Sequence, residues 1–405
     1  MRDVNEQLEL LNRGVDKIVP EAEFLEKLRR SVREGKPLRV KYGIDPTGIS
    51  VHLGHTVPLR KLRQFQDLGH TAVIIIGNYT ALVGDPSGRD ETRASLTEDQ
   101  VAENAKDYLR QVGKIIDLDR AEVHHNGDWF SKWSFLQVLD LTRTMTLGQI
   151  SAREDFAKRI ASEKPVYLHE CLYPLMQGWD SVEIRADVEL GGSEQLFSLL
   201  VARDLQTSRK QSPQIAMTMP ILVGTDGVRR MGKSLGNFIG VADDPNNMFG
   251  KIMSIPDEAM RQYFTLLTDL PLEEVECLLG SESNPRDAKE ALGKAIVEEY
   301  WGRENAEEAA SAFRRRSEGL DPTEIPEVGV LSNQLDAEGR IAASRLIVLL
   351  GFETSTSNAR RTMEQGGVNV GPERTPVTDP KASLTVTTGL IVRVGKRKIA
   401  KIVLR

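Results

Sequence analysis

A Rossmann-like parallel α/β sheet is the fold predicted for residues 1–245, on three observations. "PLRVKYGID" reads as a buried strand, and "TVPLRKLRQFQDLGH" as a helix with an apolar stripe. "TAVIIIGNYTALVGD" reads as a second strand, whose unbroken apolar run suits the centre of a parallel sheet. Strand, helix and strand at this spacing make a βαβ unit. Further helical stretches, from about Thr97 to Asp117 and from about Ser131 to Asp180, are separated by the short strand "AEVHH" and predict a helical insertion over about 100–180. "EIRADVEL", a helix from Ser193 and the strand "IAMTMPILV" then return the chain to the sheet.

From Asn246 to Arg316 the periodicity is helical throughout, which predicts a separate all-α domain. "SEGLDPTEIPEVGVLSN" packs prolines and glycines among acids and reads as a linker over 317–334. Residues 335–405 open with short helices and close with strands in "LTVTTGLIVRVGKRKIAKIVL", a small α+β module. No internal repeat or low-complexity segment interrupts this order.

At 405 residues, with 28% charged and 40% hydrophobic, the chain is long enough for two or three domains with ordinary cores. Nothing in it approaches the roughly 18 apolar residues of a membrane span, so a soluble, cytoplasmic chain is expected. Its two cysteines, Cys171 and Cys277, are too few for a disulfide framework or a four-thiolate zinc site. The net charge of −6 is unevenly spread. Residues 336–405 carry twelve Lys and Arg against six acids, a balance of +6 that leaves −12 for the rest. A basic module is joined to an acidic body.

Chemistry concentrates first in "GISVHLGHT", where His52 and His55 flank Gly54 at a strand-to-helix junction. An isolated histidine pair is more often a cap or a surface feature. Zinc needs a third protein ligand, and none sits at metal-site spacing here. A helix starting near His55 instead offers free N–H groups and a positive dipole end to phosphate. Gly54 would remove the side chain that keeps a flat base off the backbone. Far downstream, "RRMGKSLGN" sets Arg229, Arg230 and Lys233 among glycines, a loop suited to closing cations on polyphosphate.

Together these motifs resemble the HIGH and KMSKS signatures of class I aminoacyl-tRNA synthetases, at His52-Leu53-Gly54-His55 and Arg230-Met231-Gly232-Lys233-Ser234. The second departs twice, with arginine for the first lysine and glycine for the first serine. "GIDPT", "GDPSG", "YPLMQGWDS" and "LGGSEQ" occur in the order found in the bacterial tyrosyl-tRNA synthetase family, and this narrows the resemblance over almost the whole chain. It implies a nucleotidyl-transfer site that joins L-tyrosine to ATP and then passes it to tRNA(Tyr), with Mg2+ arriving on the ATP and no bound prosthetic group. By resemblance, His52, His55 and Thr47 contact the ATP phosphates and ribose, and Arg230 and Lys233 close over the pyrophosphate, helped by Arg89 and Arg93. Gly54, Gly191, Gly192, Met231 and Ser234 complete the ATP site. Lys41, Gly43, Asp45, Asp85, Tyr173, Gln177, Asp180 and Gln195 fall in the tyrosine pocket, with Asp180 at the phenol hydroxyl.

Tyr173, Gln177 and Asp180 also stand at spacings of four and three, which puts them on one helical face. Two positions depart from the best-known members, which carry tyrosine at Lys41 and glutamine at Glu189. The tail resembles the small S-four type RNA-binding module, and Arg360, Arg361, Lys396, Arg397 and Lys398 are its expected RNA contacts. The family is a homodimer. Three rivals remain open: a tryptophanyl-type synthetase, a small-molecule nucleotidyltransferase and a non-catalytic RNA-binding paralogue.

Overall fold

Short strands alternating with helices make a six-stranded sheet: β1 (Lys17–Val19), β2 (Arg39–Ile44), β3 (Thr71–Ile76), β4 (Glu122–His125), β5 (Val188–Gly192) and β6 (Ile215–Met219). This computed structural model describes residues 2–47, 51–85, 97–281, 283–318, 321, 325–395 and 398–405. The strand order is β1-β6-β5-β2-β3-β4, and every neighbour runs parallel except β1, which lies antiparallel to β6. In β3, Ala72 to Ile76 are wholly buried, as a central parallel strand covered on both faces requires.

From β2 the chain builds outward through β3 to β4, then crosses to the other side of β2 to lay down β5 and β6. The order therefore reverses between β2 and β5, and open α/β sheets bind ligands outside the carboxyl ends of their strands at such a point. Asp45, just past β2, and Gly191 and Gly192, ending β5, flank that crevice.

Several elements differ from expectation. The strand expected over "TAVIIIGNYTALVGD" ends at Ile76, and Thr80–Val83 is a short helix. A Cβ on Gly77 would stand 2.0 Å from Asp45 Oδ1, and Gly84 sits at φ +88°. Apolarity continues through this turn, which is why periodicity misses it. The helix after HxGH starts earlier than expected, as Leu53–Asp67, because His52 serves as its N-cap. Within the insertion, Ser134 and Thr146 cap new helices through capping boxes with Gln137 and Gln149. The long stretch accordingly divides into Phe135–Thr142, Leu147–Ser151, Glu154–Ala161 and Leu168–Ile184. Strand β6 stops before Pro220, which lacks the N–H a ladder needs.

The chain forms two compact units, residues 1–306 and 307–405. Within the first, the helices Pro245–Met253, Met260–Leu267, Leu272–Leu278 and Pro285–Trp301 follow the sheet, with Phe249, Ile252, Phe264, Leu292 and Ile296 buried. In the second, β7 (Glu327–Val330), β8 (Arg340–Ala342), β9 (Val368–Val370), β10 (Thr375–Pro376), β11 (Ser383–Thr385), β12 (Ile391–Val394) and β13 (Lys398–Leu404) form a five-stranded sheet, β10-β9-β12-β13-β7, and a β8–β11 pair. The helix Ala343–Leu349 contributes Leu346 to the core with Val392, Ala400 and Ile402. The segment read as a linker thus contains a strand: β7 pairs parallel with β13. Asp321 is held there too, accepting hydrogen bonds from Arg393 Nε at 2.7 Å and Arg374 Nη2 at 2.8 Å.

Candidate active site

The HxGH segment folds back on itself. His52 N–H donates to His55 Nδ1 at 3.3 Å, and the two rings stack with centroids 3.7 Å apart. Burial, followed by the neighbouring imidazole and the Lys233 ammonium, lowers the His52 pKa to about 3. Burial and Lys233 lower that of His55 to about 4. Both rings are neutral at pH 7, so they offer hydrogen bonds and no charge. Among the described residues, His52 Nδ1 is buried without a partner, as an atom reserved for a ligand would be. A Cβ on Gly54 would meet His52 Cε1 and Nδ1 at 3.1 Å and Met231 Cβ at 3.5 Å, so glycine lets the imidazole lie flat against the helix start.

The cationic loop is tied to this segment by backbone. Leu53 N–H donates to Ile239 O, and Val241 N–H to Val51 O. Two side chains shape the loop. Asp226 Oδ1 accepts from the N–H groups of Val228 and Arg229, and Asn237 Nδ2 donates to Asp226 Oδ2 at 3.0 Å and Arg230 O at 3.1 Å. Asn237 Oδ1 accepts from Gly232 N–H at 2.9 Å. Arg229 is turned back onto Asp226, whereas Arg230 and Lys233 face the crevice.

Two cavities open side by side at the switch point. The first, about 450 Å³, is lined by Gly43, Asp45, Thr47, Asp85, Tyr173 and Gln195 together with His52, His55, Lys233 and Ser234. The second, about 330 Å³, is lined by Gly54, Gly192, Arg230 and Met231, and shares His52, His55, Gln195 and Ser234 with the first. Gly191 stands just behind, where a Cβ would come within 2.9 Å of Gln195 Oε1. That oxygen accepts from Gly192 N–H at 2.9 Å. Asp45 is positioned by Tyr173, whose hydroxyl donates to Oδ2 at 2.9 Å, and by Thr80, whose hydroxyl donates to Oδ1 at 2.8 Å.

Behind the first cavity lies a buried polar layer. Trp129 Nε1 donates to Asp180 Oδ1 at 3.1 Å and Asn126 Nδ2 to Oδ2 at 3.4 Å. Burial, only partly offset by Lys41, pushes the Asp180 carboxyl up to about 7. Of the residues assigned to the tyrosine pocket by resemblance, Gln177, Asp180 and Lys41 line neither cavity, and Lys41 is wholly buried. Its Nζ lies 2.9 Å from Glu189 Oε1, and donates to Gln177 O at 2.7 Å and Ser181 Oγ at 2.8 Å. Lys41 and Glu189 face each other across β2 and β5, so the two departures from the best-known members form one ion pair. Gln177 Nε2 donates to Glu189 Oε1 at 3.1 Å, while Gln177 Oε1 is buried without a partner among the described residues.

Arg89, Arg93, Lys396 and Arg397 lie outside the described residues. Arg360 and Arg361 are exposed on the helix Thr356–Glu364, and Lys398 lies 3.5 Å from Glu353. Cys171 and Cys277 are free. Among the described residues, no three His, Cys, Asp or Glu side chains cluster as a metal site, and no helix is long and apolar enough to cross a membrane. Sequence reasoning missed Asn126 and Trp129, although "HHNGDWF" follows a parallel strand, where site residues collect. It also missed Asn237, whose amide organises the cationic loop.

The model of the tRNA synthetases class I (W and Y) matches residues 33–318, more than half of the chain. The tyrosine–tRNA ligase of Moorella thermoacetica is 47% identical over 406 residues, covering 99% of this chain and 96% of that protein. That of Symbiobacterium thermophilum is 46% identical, covering 99% and 98%. Two solved structures share the fold at low identity. One is a C-terminally truncated mitochondrial tyrosyl-tRNA synthetase of Aspergillus nidulans, with a TM-score of 0.63 at 23% identity over 78% of this chain and 94% of that one. The other is a tyrosyl-tRNA synthetase of Archaeoglobus fulgidus complexed with L-tyrosine, with a TM-score of 0.61 at 23% identity over 76% and 100%. A crevice at the β2/β5 switch point, the HxGH turn with its cationic loop and identity along nearly the whole chain agree, and the chain belongs to the class I tRNA synthetases, in the branch of the bacterial tyrosyl-tRNA synthetases.

Proposed function

We propose that the chain is a tyrosine–tRNA ligase whose two adjoining cavities hold tyrosine and ATP. The observation that carries this reading is the first cavity, where the carboxylates Asp45 and Asp85 lie with Tyr173 and Gln195 beside His52, His55 and Lys233. Asp85, Tyr173 and Gln177 hold the substrate ammonium, and Asp180 accepts the phenol O–H. A tyrosine carboxylate oxygen attacks the α-phosphorus of ATP, which enters as its magnesium complex, while the bond to the β-phosphate oxygen breaks. Pyrophosphate leaves, and no protein nucleophile is needed. His52, His55 and Thr47 hydrogen-bond the phosphates and ribose, Gly54 and Met231 border the base, and Lys233 and Arg230 stabilise the developing charge. A hydroxyl of the terminal adenosine of tRNA(Tyr) then attacks the tyrosyl carbonyl carbon and AMP departs.

The second unit holds RNA through its basic surface, with Arg360 and Arg361 exposed. Two copies associate through the insertion, where Phe135 and Leu136 are 74% exposed, Leu147 75% and Leu168 82%. The cytoplasm is its compartment. The test is amino-acid-dependent exchange of pyrophosphate into ATP against each standard amino acid. Exchange with tyrosine alone supports the reading, exchange with tryptophan moves the chain to the sister specificity, and none with any amino acid leaves an RNA-binding paralogue.

A further inference from the structure

We propose that Lys41 and Glu189 form a buried positioning pair that holds the helix Leu168–Ile184 and sets the electric field at Asp180, making them specificity determinants that never touch the substrate. The inference rests on the tyrosine–tRNA ligase reading. Both side chains are essentially inaccessible, and neither lines a cavity. Lys41 Nζ directs its hydrogen bonds to the one helix that carries Tyr173, Gln177 and Asp180, through Gln177 O and Ser181 Oγ. Glu189, the register partner of Lys41 on β5, binds the same turn, accepting from Gln177 Nε2 and Ser181 Oγ, and Gln214 Nε2 donates to it as well.

A charge in so dry a layer acts strongly on its neighbours. Five groups bear on Asp180. Lys41 from β2 favours its ionised form and Glu189 from β5 opposes it, Asn126 and Trp129 donate to it from beyond β4, and Tyr173 lies on its own helix, bonded to Asp45. Removing one member of a buried pair leaves the other uncompensated, whereas replacing both with neutral side chains of similar volume is tolerated.

The two single changes therefore push Asp180 in opposite directions. Lys41→Met leaves Glu189 unpaired and moves the acid limb of kcat/KM for tyrosine, measured by pyrophosphate exchange, to higher pH. Glu189→Gln leaves Lys41 unpaired and moves that limb to lower pH. A purely structural role would lower activity without opposite displacements. The neutral double variant Lys41→Met/Glu189→Gln provides a second measurement should the singles fail to fold: its preference for tyrosine over phenylalanine falls at least tenfold, because Gln177 O and Ser181 Oγ lose the Lys41 ammonium that tethers the helix and a glutamine at 189 restores only the acceptor side. Limbs that stay put or move the same way, or a double variant with unchanged preference, would overturn the proposal. Failure of the unaltered protein to exchange with tyrosine would instead overturn the ligase reading.

Discussion

Asp180→Asn should stabilise the free protein at alkaline pH relative to acid pH. Burial raises the Asp180 carboxyl to about 7, well above the ordinary carboxylate value near 4 that the unfolded chain retains. The sign follows from proton binding. Between those two values the folded state holds a proton that the unfolded chain releases, so the stabilisation is fully present below about pH 4 and is lost as pH rises through 7. At about 1.4 kcal/mol per unit, the folded protein forfeits roughly 2–3 kcal/mol between pH 5 and pH 8 through this group alone. An asparagine does not titrate. It does present an N–H where Asp180 offers an acceptor to Asn126 and Trp129, but that cost is the same at both pH values and cancels in the difference. The assay is urea unfolding at pH 5 and pH 8, at fixed protein concentration, followed by tryptophan fluorescence. All four tryptophans, Trp129, Trp133, Trp179 and Trp301, lie in the first unit, so the signal reports that unit alone. An equal stability difference between variant and unaltered protein at both pH values would refute a perturbed Asp180.

Lys233→Ala should slow adenylate formation by about 10² to 10³ with tyrosine binding little changed, read by single-turnover kinetics, since one preorganised cation is removed from the departing pyrophosphate. Truncation near Leu335 removes most of the second unit and should leave pyrophosphate exchange close to that of the full chain, while flattening the salt dependence of tRNA affinity by about one unit of slope per lost phosphate contact. Equal slopes for both forms would give the basic module another partner. Leu168→Asp, at a leucine 82% exposed, should shift the protein toward monomer in analytical ultracentrifugation, and an unchanged sedimentation coefficient would locate the dimer contact elsewhere.

What the sequence determined by itself was local pattern and motif identity. Buried apolar strands announce themselves by composition, and HxGH with RRMGKS in an α/β chain raises the expectation of a phosphate site. Hence the βαβ unit was legible, as were most of the residues lining the two cavities. Tertiary structure alone decided which buried polar groups meet. Lys41 reaches the helix of Gln177 and Ser181, 136 and 140 residues away, and neither charge in "RVKYG" nor charge in "VELGG" reveals that the two neutralise each other. The β7 strand was equally hidden, because "EVGV" is too short to declare itself and exists through its ladder to β13 some seventy residues later. Desolvation of Asp180 has the same origin. Side-chain periodicity reports the face a residue occupies, but the energy of a buried charge depends on every group that chain folding brings within a few ångströms, and that is a property of the assembled interior.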